Sequence, residues 1–307
     1  MKKISFFKPA AVASSLCVAV CAKGQITVDG TLDGAYGAPL ATQTINTGFG
    51  DSTVGDGTST GGSELDAAYG TVQNGNLYLF LSGNFEDNGN HVNVFISDGR
   101  AGQNTLALPD GGTMGAMNGS VFSPGFNATL ALDLNDYQGT AYVEEYNLVG
   151  TASGGYAGSI GLTGGIGSGS PGGSIVYGLN NVNAAGVNGN TGTAADSTAA
   201  NAVTTGLEIA IPLSLLGNPS GSIAVLADIN GGSDGYLANQ FLPGLPVGSG
   251  NVGGGGPYSG SSGGAFNFGS TPGEYFVIPV PEPSSLALLS VPGLATLCAI
   301  RRKIIKA

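Results

Sequence analysis

The chain contains no tryptophan and, among its 307 residues, a single histidine, His91. Its three cysteines, Cys17, Cys21 and Cys298, all lie near the two ends. The intervening body therefore has no disulfide, no thiolate nucleophile and no cysteine-bound metal, and its stability rests on a packed core. With no body cysteine and no second histidine, Ser-His and Cys-His nucleophilic sets and histidine-bound zinc have little to work with. His91, between Asn90 and Val92, reads as a surface or edge residue rather than a catalytic base. No catalytic residue and no organic cofactor is expected.

Basic residues are as scarce. Of nine Lys and Arg, four lie at positions 2, 3, 8 and 23 and four at 301, 302, 303 and 306, which leaves only Arg100 between. All 20 Asp and Glu fall between Asp29 and Glu282. From Gly24 to Pro283 one arginine faces 20 acidic groups, a formal charge of −19. Such a surface repels nucleic acid and anionic lipid, which removes nucleic acid as a partner. It suits a solvated extracellular matrix or divalent cations, and equally it serves solubility.

A sustained helical period is also missing outside the two ends. Glycine is abundant instead, at 56 residues, and short apolar runs alternate with Asn, Asp, Ser and Thr. This is the pattern of many short strands joined by turn-rich loops. The clearest unit is a hairpin, Leu65–Gln73 and Asn76–Asn84 around Asn74-Gly75, a pair that favours the type I′ turn. In the second arm Leu77, Leu79 and Leu81 alternate with Tyr78 and Phe80. Both faces are apolar, so the arm belongs inside a sandwich or under a loop.

Further strands are predicted at Gln25–Val28, Ala41–Thr47, Asn93–Ser97, Thr129–Leu134, Thr140–Leu148, Ile175–Leu179, Val203–Ile211, Ile223–Ile229, Ala238–Leu242, Ala265–Phe268 and Glu274–Ile278. Asn135-Asp136 is the expected turn region between Thr129–Leu134 and Thr140–Leu148. Residues 48–62, 98–125, 153–173 and 248–264 read as glycine-rich loop, and 180–201 as a mobile surface insertion. No period of 20 to 50 residues recurs, which argues against a solenoid or propeller. The expected fold is all-β, an antiparallel β-sandwich of jelly-roll type spanning 24–279.

The two ends carry a different signal. Lys2, Lys3 and Lys8 precede an apolar stretch from Pro9 to Cys21, and small residues follow at Ala22 and Gly24. This is the pattern of a secretory signal peptide over 1–23, cut near Ala22 to Gly24. A lipoprotein reading of Cys21 meets Val20 where a small residue is wanted. At the other end Pro281-Glu282-Pro283 precedes 17 uncharged residues, Ser284 to Ile300, and then Arg301-Arg302-Lys303. That run reaches about 25 Å as a helix, the lower limit for a bilayer core. The basic cluster would hold the C-terminus on the cytoplasmic side. Pro281 and Pro283 cannot continue a helix, so they keep Glu282 in an extended, accessible strip.

This three-part tail, 280–307, resembles the PEP-CTERM sorting signal. The resemblance implies recognition and cleavage by an exosortase-type membrane protease, a precursor tethered in the inner membrane of a Gram-negative bacterium, and delivery to the cell surface or extracellular matrix. Three pieces of the body, Val28-Asp29-Gly30-Thr31-Leu32-Asp33, Asn76-Leu77-Tyr78-Leu79 and Glu208-Ile209-Ala210-Ile211-Pro212, are similar to carbohydrate-binding module family 9-like and DOMON-like β-sandwiches. That resemblance implies a jelly-roll sandwich with extracellular polysaccharide as a partner. The family holds sugars between tryptophan rings, which this chain lacks; tyrosine is the available substitute.

Little else nominates chemistry. Glu144 and Glu145 are adjacent and face opposite sides of a strand, so they do not form a glycosidase pair. Gly164–Ser170 lacks the lysine and helix of a phosphate loop. Asp228, Asn230 and Asp234, in Asp228-Ile229-Asn230-Gly231-Gly232-Ser233-Asp234-Gly235, space oxygen ligands between glycines, and calcium is the ion such a loop would take. The competing reading is a plain Asp/Asn/Gly turn. Asp29 with Asp33 and Asp133 with Asp136 are weaker versions. The sequence thus predicts an exported, non-enzymatic sandwich with a structural or adhesive role. A glycan-binding module is the first alternative and a secreted glycan-active enzyme the second.

Overall fold

A computed structural model describes residues 24–49, 62–109, 112–253, 265–271 and 273–281. The signal-peptide segment and all of the C-terminal tail beyond Pro281 lie outside the described residues. Within them no helix is long and apolar enough to cross a membrane.

The described residues form two antiparallel sheets packed face to face, with almost no helix. The strands are β1 (Ala41–Thr42), β2 (Ser63–Gln73), β3 (Asn76–Phe85), β4 (Asn88–Ser97), β5 (Leu130–Tyr137), β6 (Thr140–Asn147), β7 (Ser153–Gly161), β8 (Ile166–Gly169), β9 (Val176–Asn180), β10 (Gly206–Pro212), β11 (Gly221–Asn230), β12 (Leu237–Leu242) and β13 (Phe276–Val280). One sheet has the order β1-β2-β3-β10-β9-β8 and the other β12-β11-β4-β5-β6-β7, with β13 also paired to β11.

The predicted hairpin is the spine of the first sheet. Asn74 and Gly75 both take positive φ, 51° and 78°, which gives the turn the twist its strands need. Leu77, Leu79 and Leu81 enter the core between the sheets, against Val92, Val94 and Ile96 of β4 and Ile223, Val225 and Ile229 of β11. Phe80 points the other way, into a small cluster with Ile26, Tyr36, Ala67 and Tyr69. The opening segment covers that face, which is why β3 is apolar on both sides.

The second sheet is also apolar on both faces. Phe95, Ala131 and Leu226 point away from the inter-sheet core into a second cluster, with Leu106, Met114, Phe122, Phe126, Phe241 and Phe268. Loop residues supply most of that cover. Phe122 and Phe268 stack at 5.2 Å, and Phe95 packs on both.

Several local expectations are corrected. Gln25–Val28 and Ala265–Phe268 are not strands, and of Ala41–Thr47 only the first two residues are. The β5–β6 turn falls at Gln138-Gly139, not Asn135-Asp136; both turn residues have positive φ, and the ladder runs on to Tyr137↔Thr140. The glycine-rich stretch 153–173 forms β7 and β8 rather than loop.

Segment 180–201 is docked rather than loose. Val187 is buried and its N–H donates to Asp66. Asn181 donates to Asp136 and to the Phe85 carbonyl. The segment then enters a helix, α1 (Ser197–Ala202), capped by Asp196.

Candidate functional site

The outer face of the second sheet carries a row of polar side chains set by strand register. Asp228 on β11 lies opposite Asn93 on β4, Asn93 opposite Asp133 on β5, and Asp133 opposite Glu144 on β6. Each of the four strands contributes one buried polar residue to the row, and neighbouring strands stand about 4.8 Å apart. His91 sits one step along β4 on the same face, opposite Asn230 and Asn135. All of these except Asn135 are buried. His91 is 2% exposed in a strand flanked on both sides, so its reading as a surface or edge residue is corrected.

The turn after β11 closes the row. Asn230 accepts from the N–H groups of Gly231 and Tyr236 and donates to the Asp234 carbonyl. Asp234 takes φ 52°, a left-handed conformation that Asp tolerates better than most residues. The clamped turn holds the Asp234 side chain over the sheet at 0% exposure.

The contacts converge on His91. Its Nδ1 stands 2.9 Å from both Asp133 oxygens and 3.4 Å from Asp234 Oδ2. The Asn93 amide donates to Asp133 Oδ1 at 3.1 Å and to Asp234 Oδ1 at 3.0 Å, bridging the two. One donor atom from each of His91, Asp133 and Asp234 falls within a 4.8 Å group, a spacing able to hold a metal ion. Glu144 is saturated differently. It accepts from the Thr113 N–H and hydroxyl, the Met114 N–H and the Tyr146 hydroxyl.

Burial and mutual repulsion govern the electrostatics. Burial alone would depress His91, but Asp133, Asp234 and Glu144 outweigh it and raise the imidazole to about 9. Burial lifts Asp133, with His91 opposing. Burial lifts Asp234 to about 8, reinforced by Asp133 and opposed by His91. Asp228 rises well above the carboxylate range through burial, then through Asp234 and Asp133. The only arginine of the body does not help. Arg100 chelates Asp98 at 2.6 Å and donates to the Leu215 carbonyl.

Of the predicted ligand set, Asp234 joins His91 in the metal-spaced group, while Asp228 lies on the same sheet face outside it. Asn230 is spent on clamping the turn. Asp133 joins the cluster, while Asp136 bonds Asn181 elsewhere. Asp29 and Asp33 make turn hydrogen bonds with Thr31 and Thr27. Pro281 follows directly on β13, and Glu282, Pro283, Arg301, Arg302 and Lys303 lie outside the described residues. His91, Asn93 and Glu144 were not singled out as ligands or partners by sequence. Their signal was a lone polar residue inside a two-faced apolar strand, as in Val92-Asn93-Val94-Phe95-Ile96 and Leu130-Ala131-Leu132-Asp133-Leu134.

The three body motifs meet at a separate joint. Glu208 Oε2 accepts from the N–H groups of Asp29 and Gly30, and Oε1 from the Tyr36 hydroxyl at 2.8 Å. Ile209, Ala210 and Ile211 pair with Leu79, Tyr78 and Leu77. The acidic residue of the late motif thus pins the opening turn onto the sheet.

Surface concavities lie apart from the buried row. One of about 420 Å³ is lined by Glu145, Gly154, Gly155, Tyr156, Ala157 and Gly172. Tyr156 is exposed and stands 6.4 Å from Tyr142, ring centre to ring centre. Glu145 accepts there from the Tyr177 hydroxyl, while Glu144 bonds Tyr146 on the other face. Comparison with protein-family models, with curated proteins and with solved structures finds no match for the chain.

Proposed function

We propose that the chain is an exported, non-enzymatic β-sandwich protein of the jelly-roll kind, with a structural or adhesive role at the cell surface or in the extracellular matrix. An exosortase-type protease delivers it from a membrane-tethered precursor. The observation that carries this reading is the tail: Pro281-Glu282-Pro283, the uncharged run Ser284–Ile300, and Arg301-Arg302-Lys303. The geometry adds one support. Val280 is still paired with Gly221 in the sheet, so the motif follows the fold without an intervening linker. A membrane helix there would hold the sandwich close against the bilayer, and release requires cutting it away. The test replaces Pro281 and Glu282 with alanine together. The double variant is expected to stay in the membrane fraction with its tail attached, by fractionation and intact-mass measurement; normal release and sorting would sink the reading.

The Tyr142–Tyr156 pair, with Tyr156 exposed at the sheet edge, supports a second reading, binding of an extracellular glycan. Aromatic faces stack on sugar rings. Titration with matrix polysaccharide should then show binding that Tyr156→Ala weakens, and uniform non-binding across glycans would remove it.

A further inference from the structure

We propose that His91, Asp133 and Asp234 form a site for one divalent transition-metal cation, with Asp228 as an unpartnered carboxylate on the same sheet face. The site is independent of the sorting and glycan readings, and its chemistry follows from four observations.

The first is charge. Three aspartates and Glu144 are buried on one face with a single imidazole, and Arg100 is committed to Asp98. Burying carboxylates without a counter-charge costs several kcal/mol per ion, so the group must be held by protons or by a cation. The second is spacing. In a four-coordinate shell with bonds of about 2.0–2.2 Å, ligand atoms stand roughly 3.3–3.6 Å apart. His91 Nδ1 lies 3.4 Å from Asp234 Oδ2 and 2.9 Å from Asp133 Oδ2, so small shifts suffice to admit an ion.

The third is Asp228. It is fully buried, and neither of its oxygens has a hydrogen-bond partner. It lies opposite Asn93, the residue that ties Asp133 to Asp234. A buried carboxylate with no donor is rare and costly; a cation held by His91, Asp133 and Asp234 on the same face supplies a counter-charge that the protein does not. His91 Nε2 and Asp234 Oδ2 likewise lack hydrogen bonds. The fourth is donor type. Calcium takes six to eight oxygens at 2.3–2.6 Å, whereas an imidazole with carboxylates suits zinc, manganese, iron or cobalt. The imidazole therefore moves the expected ion away from the calcium that the 228–235 loop suggested. Asn93 and Asn230 act as positioning residues, one orienting two ligand carboxylates and the other the turn that bears Asp234.

The test uses the untagged full-length chain, stripped with chelator and dialysed. Cobalt(II) should bind at one equivalent with visible absorption bands, and zinc should displace it. Zinc at about a hundredfold over its Kd should raise the Tm by roughly 5–10 °C, and calcium should not. His91→Gln and Asp234→Asn should each weaken cobalt binding at least about tenfold, while Asp196→Asn, at the exposed helix cap, leaves it unchanged. Because His91 is the only histidine, its imidazole ¹⁵N resonances are unambiguous. Zinc should shift them in the wild-type chain, so the assignment does not depend on variants that fold poorly. A folded, stripped protein that takes up neither cobalt nor zinc overturns the proposal. So does uptake that leaves the His91 resonances unmoved, or a calcium response equal to that of zinc.

Discussion

Asp66 provides a direct test of how burial sets the pH response of this fold. It sits at the bulge of β2, where the register with β3 shifts between Leu65 and Ala67. Its side chain is fully buried. Oδ1 accepts from the Val187 N–H at 2.9 Å, and Oδ2 has no partner. Burial raises the carboxyl from 3.8 to about 8, and the Val187 hydrogen bond only partly opposes it. The folded state therefore holds a proton that the unfolded chain releases near pH 4. Stability is greatest below that point and falls as pH rises toward 8.

At about 1.36 kcal/mol per pH unit, the interval bounds the loss at roughly 5–6 kcal/mol. Relaxation and water entry would bring the observed value to about 2–4 kcal/mol. Asp66→Asn keeps an oxygen for Val187 and removes the titration. Its amide nitrogen finds no more of a partner than Oδ2 does, at a pH-independent cost of about 1–3 kcal/mol. Urea unfolding of both proteins from pH 4.5 to 8.5 measures the difference. With m near 2–3 kcal/mol/M, the wild-type midpoint should fall by roughly 1 M relative to the variant across that range. Parallel midpoint curves for the two proteins would refute the argument.

Two further outcomes follow from the packing. Glu208→Ala strips acceptors from the Asp29 and Gly30 N–H groups and the Tyr36 hydroxyl, and should cost about 3–5 kcal/mol in urea unfolding, against about 1 kcal/mol for Tyr36→Phe; equal costs would show that the joint is not held by that carboxylate. Leu79→Ala empties a fully buried position between the sheets, with an expected loss of about 2–5 kcal/mol in the same assay, while Leu215→Ala, at an exposed leucine, should lie within about 0.5 kcal/mol of wild type.

What could be read in advance was local. Asn74-Gly75 specifies its own turn because the two residues accept positive φ, and the leucine alternation of β3 states which faces are buried. Residues 153–173 misled because glycine signals loop by propensity, whereas a strand edge tolerates it when neighbours supply the pairing. Segment 180–201 looked loose because the groups that dock it, on Asn46, Asp66, Phe85 and Asp136, lie far from it in the chain. Asp228 and Asp234 were visible as a spaced pair on one loop. The link between His91 and Asp133 was not, because they lie 42 residues apart in the chain and a lone histidine reads as a surface residue.

By itself the sequence determined that the body is all-β, acidic, free of cysteine and tryptophan, and flanked by two apolar stretches with basic residues at their outer ends. Composition and period-two patterning decide those properties without reference to distant residues. Only the tertiary structure decided that Asp228, Asn93, Asp133 and Glu144 stand in one row, with His91 and Asp234 beside them. Register between strands far apart in sequence sets that row. A slip of one residue in any pairing would turn its side chain to the opposite face.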